Sequence, residues 1–147
     1  MKNILVGIDF HKETQVLISE SAKFAKAFGA KVWLIHVAPP EPDFVGYDVG
    51  PQYIRDSLAE ELREEHRKLQ VYAHQLESFD IEAEGLLIQG ATVEMVLEES
   101  EKLNVDLIVV GHHEHSFFHS LLFESVSAKI VNKSKVPVLV LPFGEDR

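Results

Sequence analysis

Five short apolar runs rich in Val, Ile and Leu recur along the chain, and they constrain its fold more than any other feature. They are "NILVGID" (Asn3 to Asp9), "KVWLIHV" (Lys31 to Val37), "IEAEGLLIQ" (Ile81 to Gln89), "DLIVVG" (Asp106 to Gly111) and "VPVLVLP" (Val136 to Pro142). Most are nearly continuous rather than alternating, which predicts strands covered on both faces. Between them the period changes to that of helices. Val16, Leu17, Phe24, Ala25 and Phe28 form one stripe of a first helix, with Gly29 as its C-terminal cap. Leu58, Leu62, Leu69, Ala73 and Leu76 form the apolar face of a long second helix, and "EELREEHRK" reads as its solvated face. Val93, Val96, Leu97, Ser100 and Leu103 mark a third, with Thr92 as the expected N-cap; Leu122, Val126 and Ile130 mark a fourth before Pro137.

Strands alternating with helices predict an open five-stranded parallel sheet with helices on both faces and right-handed crossovers. Such α/β sheets bind ligands beyond the C-terminal ends of their strands, where the strand order reverses. The residues expected on that edge are Asp9 to Lys12, Val37 to Pro42, Gln89 to Thr92, and Gly111 onward. One segment breaks the rhythm: residues 38–53, "APPEPDFVGYDVGPQY", form a long irregular loop in a position to cover the edge.

At 147 residues the chain suits a single domain, 1–147, able to bury one core without staples. A formal charge of −10 argues against nucleic acid or anionic lipid as a partner. With no cysteine, disulfides, thiol catalysis and Cys-type zinc sites are excluded. No stretch reaches the roughly 18 apolar residues of a membrane span, and "ILVGI" is too short for a signal peptide's core. The expectation is a cytoplasmic protein.

The chemistry-bearing residues concentrate in "GHHEHSFFHSLLFESVS", residues 111–127, on the functional edge after the fourth strand. His112, His113, His115 and His119 lie there, and His11 after the first strand should face them, with Asp9, Glu114 and Glu124 nearby. Imidazoles with carboxylates suit Zn, Ni or similar ions. The run lacks HExxH, and solvated surface accounts for it equally well. His36, inside the second strand, reads as a satisfied buried histidine, and His66 and His74 as exposed helix residues.

"NILVGID", "GAKVWLIHV", "IQGATVEMVLEESEKLNVDLIVVG" and "SVSAKIVNKSKVPVLVLP" together resemble the universal stress protein family over essentially the whole chain apart from the 38–53 loop. The resemblance implies strand order 3-2-1-4-5 in a Rossmann-like fold of the adenine nucleotide alpha-hydrolase-like type. It also implies a homodimer through the last strand. "VPVLVLP", with Val136, Val138 and Val140, would otherwise be an apolar edge open to aggregation. Many members bind ATP, and the implied nucleotide positions are Asp9, Val37, Gly90, Gly111 and Ser125. AMP or ATP with Mg would be candidate ligands, as would Zn, with no cofactor required.

The family's loop, Gly-x2-Gly-x9-Gly-Ser/Thr, is altered here. Glu114 and Glu124 replace two glycines whose bare backbone lets N–H groups approach phosphate. Unit charges about 5 Å apart at an effective dielectric near 20 repel by roughly 3 kcal/mol. Triphosphate binding is therefore disfavoured, unless a divalent ion bridges phosphate to a glutamate. No GxxxxGK[ST], GxGxxG or GxSxG motif is present. The leading expectation is a non-enzymatic, dimeric stress-response protein with ATP binding weakened or lost and with protein partners that the sequence does not name. An adenine-nucleotide sensor and a divalent-metal-binding protein or hydrolase built on the histidine run are the alternatives.

Overall fold

The computed structural model describes residues 1–40, 52–113 and 125–143. In chain order the elements are β1 (Asn3–Gly7), α1 (Thr14–Phe28), β2 (Lys31–Ala38), α2 (Gln52–Glu77), β3 (Ala83–Gln89), α3 (Thr92–Lys102), β4 (Leu107–His113), α4 (Val126–Lys133) and β5 (Val138–Phe143). The five strands are parallel in the order β3-β2-β1-β4-β5, so the order reverses between β1 and β4. The 38–53 loop falls largely outside the described residues.

The pleat explains why the strands read as continuous apolar runs. Ile4, Val6, Val32, Leu34, Leu107 and Val109 meet Leu17 and Ile18 of α1 and Leu69 and Leu76 of α2 on one face. Leu5, Ile35, Ile108 and Val110 meet Val93 and Val96 of α3 and Ile130 of α4 on the other. In the middle of β1 and β4 each residue is buried whichever way it points, which keeps those stretches apolar; polar side chains enter towards the strand ends, as at His36 and His112. Burying one Ile or Leu contributes about 2 kcal/mol. The sheet is therefore the rigid part of the molecule.

The helices depart from the sequence reading in instructive ways. On α1 the inward stripe is Thr14, Leu17, Ile18, Ser21 and Ala25, while Val16 and Phe28 stand half exposed. Two inward polar residues rotated the apparent apolar face. Gly29 does end α1, in the left-handed region at φ 63°, with its N–H donating to Ala25 O. Along α2, Leu69, Ala73 and Leu76 are buried, while Leu58 and Leu62 are half-buried. Ala91, not Thr92, is the N-cap of α3, with an extended backbone and no side-chain bond; Thr92 is its first helical residue. β5 is a sheet edge, and Val136, Val138 and Val140 pack half-buried on the α3/α4 face, so its outer boundary is largely backbone. Among the described residues no helix is long and apolar enough to cross a membrane.

Asp106 fastens the opposite, N-terminal edge. Its Oδ2 accepts from Lys2 N at 2.7 Å and Asn3 N at 3.0 Å, tying the start of β1 to the start of β4. These bonds, that from Lys2 foremost, hold its carboxyl below the ordinary carboxylate value. A carboxyl whose pKa is depressed by folding stabilises the native state above its unfolded pKa, and the contribution is lost as pH falls through the folded value. Asp106→Asn should lower the urea midpoint at pH 7, with the gap to wild type closing below about pH 4. A gap that stayed constant across that range would contradict this assignment.

Candidate functional site

The strand-order reversal opens a crevice at the C-terminal edge of the sheet, because the crossovers from β1 and from β4 leave in opposite directions. A cavity of about 240 Å³ lies there. Gly7, Ile8 and Asp9 enter it from the end of β1, Ile35, His36 and Val37 from β2, and Val110 and Gly111 from β4. Glu13, Thr14 and Leu17 of α1, Thr92 and Val96 of α3, Val126 and Ile130 of α4, and Phe143 of β5 complete the lining. The first turns of three helices thus meet one space, bringing their partial positive charge to it.

The turn that delivers Asp9 is strained. Phe10 has φ 61°, in the left-handed region where a bulky side chain is uncommon. Its ring packs against His36 at 4.5 Å between centroids, and Lys68 Nζ lies 5.3 Å from it. Asp9 Oδ1 accepts from His11 N at 3.4 Å, and Asp9 Oδ2 lies 3.7 Å from His11 Nε2. His36 is held from two sides: Nδ1 lies 2.6 Å from Ile8 O, and Nε2 lies 2.6 Å from Glu65 Oε2. Glu65 Oε2 makes that contact without the geometry of a hydrogen bond, and it has no hydrogen-bond partner among the described residues. His36, expected as a satisfied buried histidine, is half-buried, with Nδ1 against Ile8 O, and it also walls the cavity.

Of the expected nucleotide positions, Asp9, Val37 and Gly111 come together around the cavity, whereas Gly90 and Ser125 stand outside its lining. Gly90 has a structural reason to be glycine: φ is 149°, and a Cβ would sit 2.9 Å from Met95 Cγ. Ser125 caps α4, its Oγ accepting from Ala128 N at 3.1 Å and lying 3.1 Å from Ser127 Oγ. Ser127 Oγ in turn lies 3.0 Å from His112 Nδ1, so that imidazole ties β4 to α4. The expected metal set divides in the same way. His11 and His112 have the separate contacts just described, while the His113 side chain, His115 and His119 lie outside the described residues, as do Glu114 and Glu124. Among the described residues no group of three or more His, Asp or Glu could hold a metal ion.

Four lining or supporting residues escaped the sequence reading: Glu13, Thr14, Glu65 and Phe143. Thr14 is 2% exposed, and its Oγ1 has no hydrogen-bond partner among the described residues. A buried hydroxyl left in that state costs about 1–3 kcal/mol and calls for an explanation. Its signal was a threonine five residues beyond Asp9, opening a helix on the functional edge. Phe143 follows directly after the last apolar run, and its ring covers Gly111.

The family match extends along nearly the whole fold. The sequence fits the model of the Universal stress protein family over residues 1–142. The chain belongs to the universal stress protein family. It is 31% identical to Universal stress protein A of Photorhabdus laumondii over 99% of this chain and 97% of that protein. The fold is similar to a universal stress family protein from Burkholderia pseudomallei, with a TM-score of 0.72 and 22% identity over 97% of this chain and 96% of that one. It is also similar to the Archaeoglobus fulgidus universal stress protein solved in complex with dAMP, with a TM-score of 0.67 and 17% identity over 95% and 97% of the two chains. In this family member Gly111 serves packing, because a Cβ there would lie 2.4 Å from Phe143 Cε2.

Gly111→Ala should therefore destabilise the fold by about 1–3 kcal/mol through overpacking, and Phe143→Ala by about 3 kcal/mol through the cavity it leaves. The double variant should cost at least about 1 kcal/mol less than the sum, since removing the ring gives the new methyl its space. Urea unfolding of the three variants checks the coupling, and strict additivity would show that the ring does not set the glycine.

Proposed function

We propose that this protein is a non-enzymatic stress-response protein that acts as a homodimer through β5, with binding of nucleoside triphosphates weakened or lost. The observation that carries the reading is the charge around the cavity. Glu13 lines it beside Asp9, the strand-end acid that the family's nucleotide pattern itself carries, and among the described lining residues there is no Lys or Arg to meet phosphate. The loop that resembles the family's phosphate loop adds Glu114 and Glu124 where that pattern has glycine. A triphosphate would therefore approach the added acidic groups, with the helix N-termini as the positive charge offered by the described lining residues. Dimerisation would give the backbone groups along the outer side of β5 hydrogen-bond partners. The partners through which the protein signals would then recognise the dimer or its ligand-dependent shape.

A second reading has its own support. The cavity lies at the switch point of the sheet, and the similar Archaeoglobus fulgidus protein is solved in complex with dAMP. An adenine-nucleotide sensor of this kind, binding AMP more readily than ATP, would share the fold and the dimer. The histidine run keeps the divalent-metal alternative, with Zn as the ion to test.

A thermal-shift titration with Mg-ATP, AMP and Zn separates these readings. Wild type should ignore Mg-ATP up to millimolar concentration, while Glu114→Gly/Glu124→Gly should gain a shift of several degrees. Sedimentation of the wild type should give a dimer. A wild-type shift with ATP would overturn the leading reading, and a shift with AMP alone would favour the sensor. A Zn-dependent shift abolished by chelator would favour the metal.

A further inference from the structure

We infer that a second cleft, at the edge of the sheet opposite the crevice, binds a small organic carboxylate with a short apolar tail, and that Lys133 and Lys135 hold its carboxylate. The cleft has a volume of about 260 Å³ and lies between the C-terminal ends of α3 and α4, where the chain turns into β4 and β5. It shares no lining residue with the crevice at the β1/β4 seam, so the inference stands whatever that crevice binds.

The sequence sets the charge. In a chain of formal charge −10, the stretch from Ser125 to Phe143 holds three lysines, Lys129, Lys133 and Lys135, and no Asp or Glu. Two of the three line the cleft, and the acid that lines it with them is Glu101. Lys135 Nζ lies 2.9 Å from Glu101 Oε1, and the two side chains are 83% and 63% exposed, so the pair is open to a ligand arriving from solvent. Such an exposed pair is worth little, and Lys135 can be shared. Lys133 makes no ion pair among the described residues. Two ammonium groups against one carboxylate leave the cleft positive, and a second carboxylate would balance it.

The backbone does not cancel that charge. Helix C-termini are electronegative where their carbonyls are free. At α3, however, Leu103 N–H donates to Glu99 O at 2.9 Å, Asn104 N–H to Glu101 O at 3.2 Å and Val105 N–H to Ser100 O at 2.9 Å. Ser134 N–H likewise donates to Ile130 O at 2.8 Å at the end of α4. Ser100 Oγ is spent on Leu97 O at 2.7 Å, so Asn104 and the two lysines are the lining side chains left to donate to a ligand. Leu97, Val105 and Val136 line the same space from the α3/α4 core. Phosphate or sulfate would leave that apolar wall uncovered, whereas an aliphatic tail behind a carboxylate covers it. The volume falls below the roughly 300–1,000 Å³ of sites for larger ligands, which keeps the tail short.

An NMR titration of isotope-labelled wild-type protein with sodium hexanoate, hexanol and sodium sulfate, at constant ionic strength, tests the ligand class without any variant. Hexanoate should shift the amides of Ser100 to Val105 and of Lys133 to Val136 saturably, with hexanol and sulfate each at least about tenfold weaker. No saturable shift with hexanoate, or shifts centred on Asp9 and Gly111, would overturn the site. Hexanol binding as well as hexanoate would remove the lysines from it, and sulfate binding as well would remove the apolar wall. Lys133→Gln/Lys135→Gln should weaken hexanoate at least about tenfold, while Lys129→Gln, outside the cleft lining, should leave it unchanged. All three positions are exposed, so the urea midpoints should stay close to that of wild type. Equal weakening in both variants would assign the effect to the overall charge of the protein and not to the cleft.

Discussion

The reversal of strand order between β1 and β4 is the constraint on which the rest depends. Each right-handed crossover carries its helix to the face that its direction along the sheet dictates, so α1 and α2 cover one face and α3 and α4 the other. At the seam the connections diverge, and the C-terminal ends of β1 and β4 are left beside an opening that no described helix crosses. Gly7, Ile8 and Val110 lie there because the sheet puts them there. The cavity follows from topology before any side chain is chosen.

Side chains then decide what the opening becomes. At the far edge Asp106 locks β1 to β4 through two backbone bonds, so the two strands that flank the seam cannot slide past each other. At the open edge His36 joins the end of β1 to α2 through Ile8 and Glu65. Phe143 closes over Gly111 from the side of β5. Rigid strands, fixed in register at one end and braced at the other, hold a small space open without collapse.

The sheet was legible because burial on both faces leaves an unbroken apolar signature, and all five strands were placed within a few residues. The helices were less so. Thr14 and Ser21 face inward on α1, and an apolar-stripe search passes over polar residues in the core, so Val16 and Phe28 were assigned to the wrong side. Glu65 was lost within "EELREEHRK" for the same reason: one inward acid among many outward ones carries no periodic signal. Asp9, Val37 and Gly111 were found from their place at strand ends, whereas Thr14 and Phe143 reach the cavity from a helix and an edge strand that the motif does not describe. Periodicity reports solvent, and it does not separate a cavity wall from the core it belongs to.

That distinction bears on why the seam departs from local rules. Asp80 and Asn104 also have positive φ, yet they follow helices and are residue types that tolerate it; Phe10 is bulky, and such a conformation costs on the order of 1–3 kcal/mol. Of the three buried side-chain atoms without a hydrogen-bond partner among the described residues, Thr14 Oγ1 belongs to the cavity wall and Glu65 Oε2 to the carboxylate beside His36. The third, Ser21 Oγ, lies two turns further along α1 from Thr14. Selection for stability alone would replace such features, because a valine for a threonine or a glycine for a phenylalanine is a single substitution away in kind. Of these features Thr14 alone belongs to the described cavity lining, Phe10 and Glu65 lie beside its wall residue His36, and Ser21 lies away from it, against a sheet that is locally consistent.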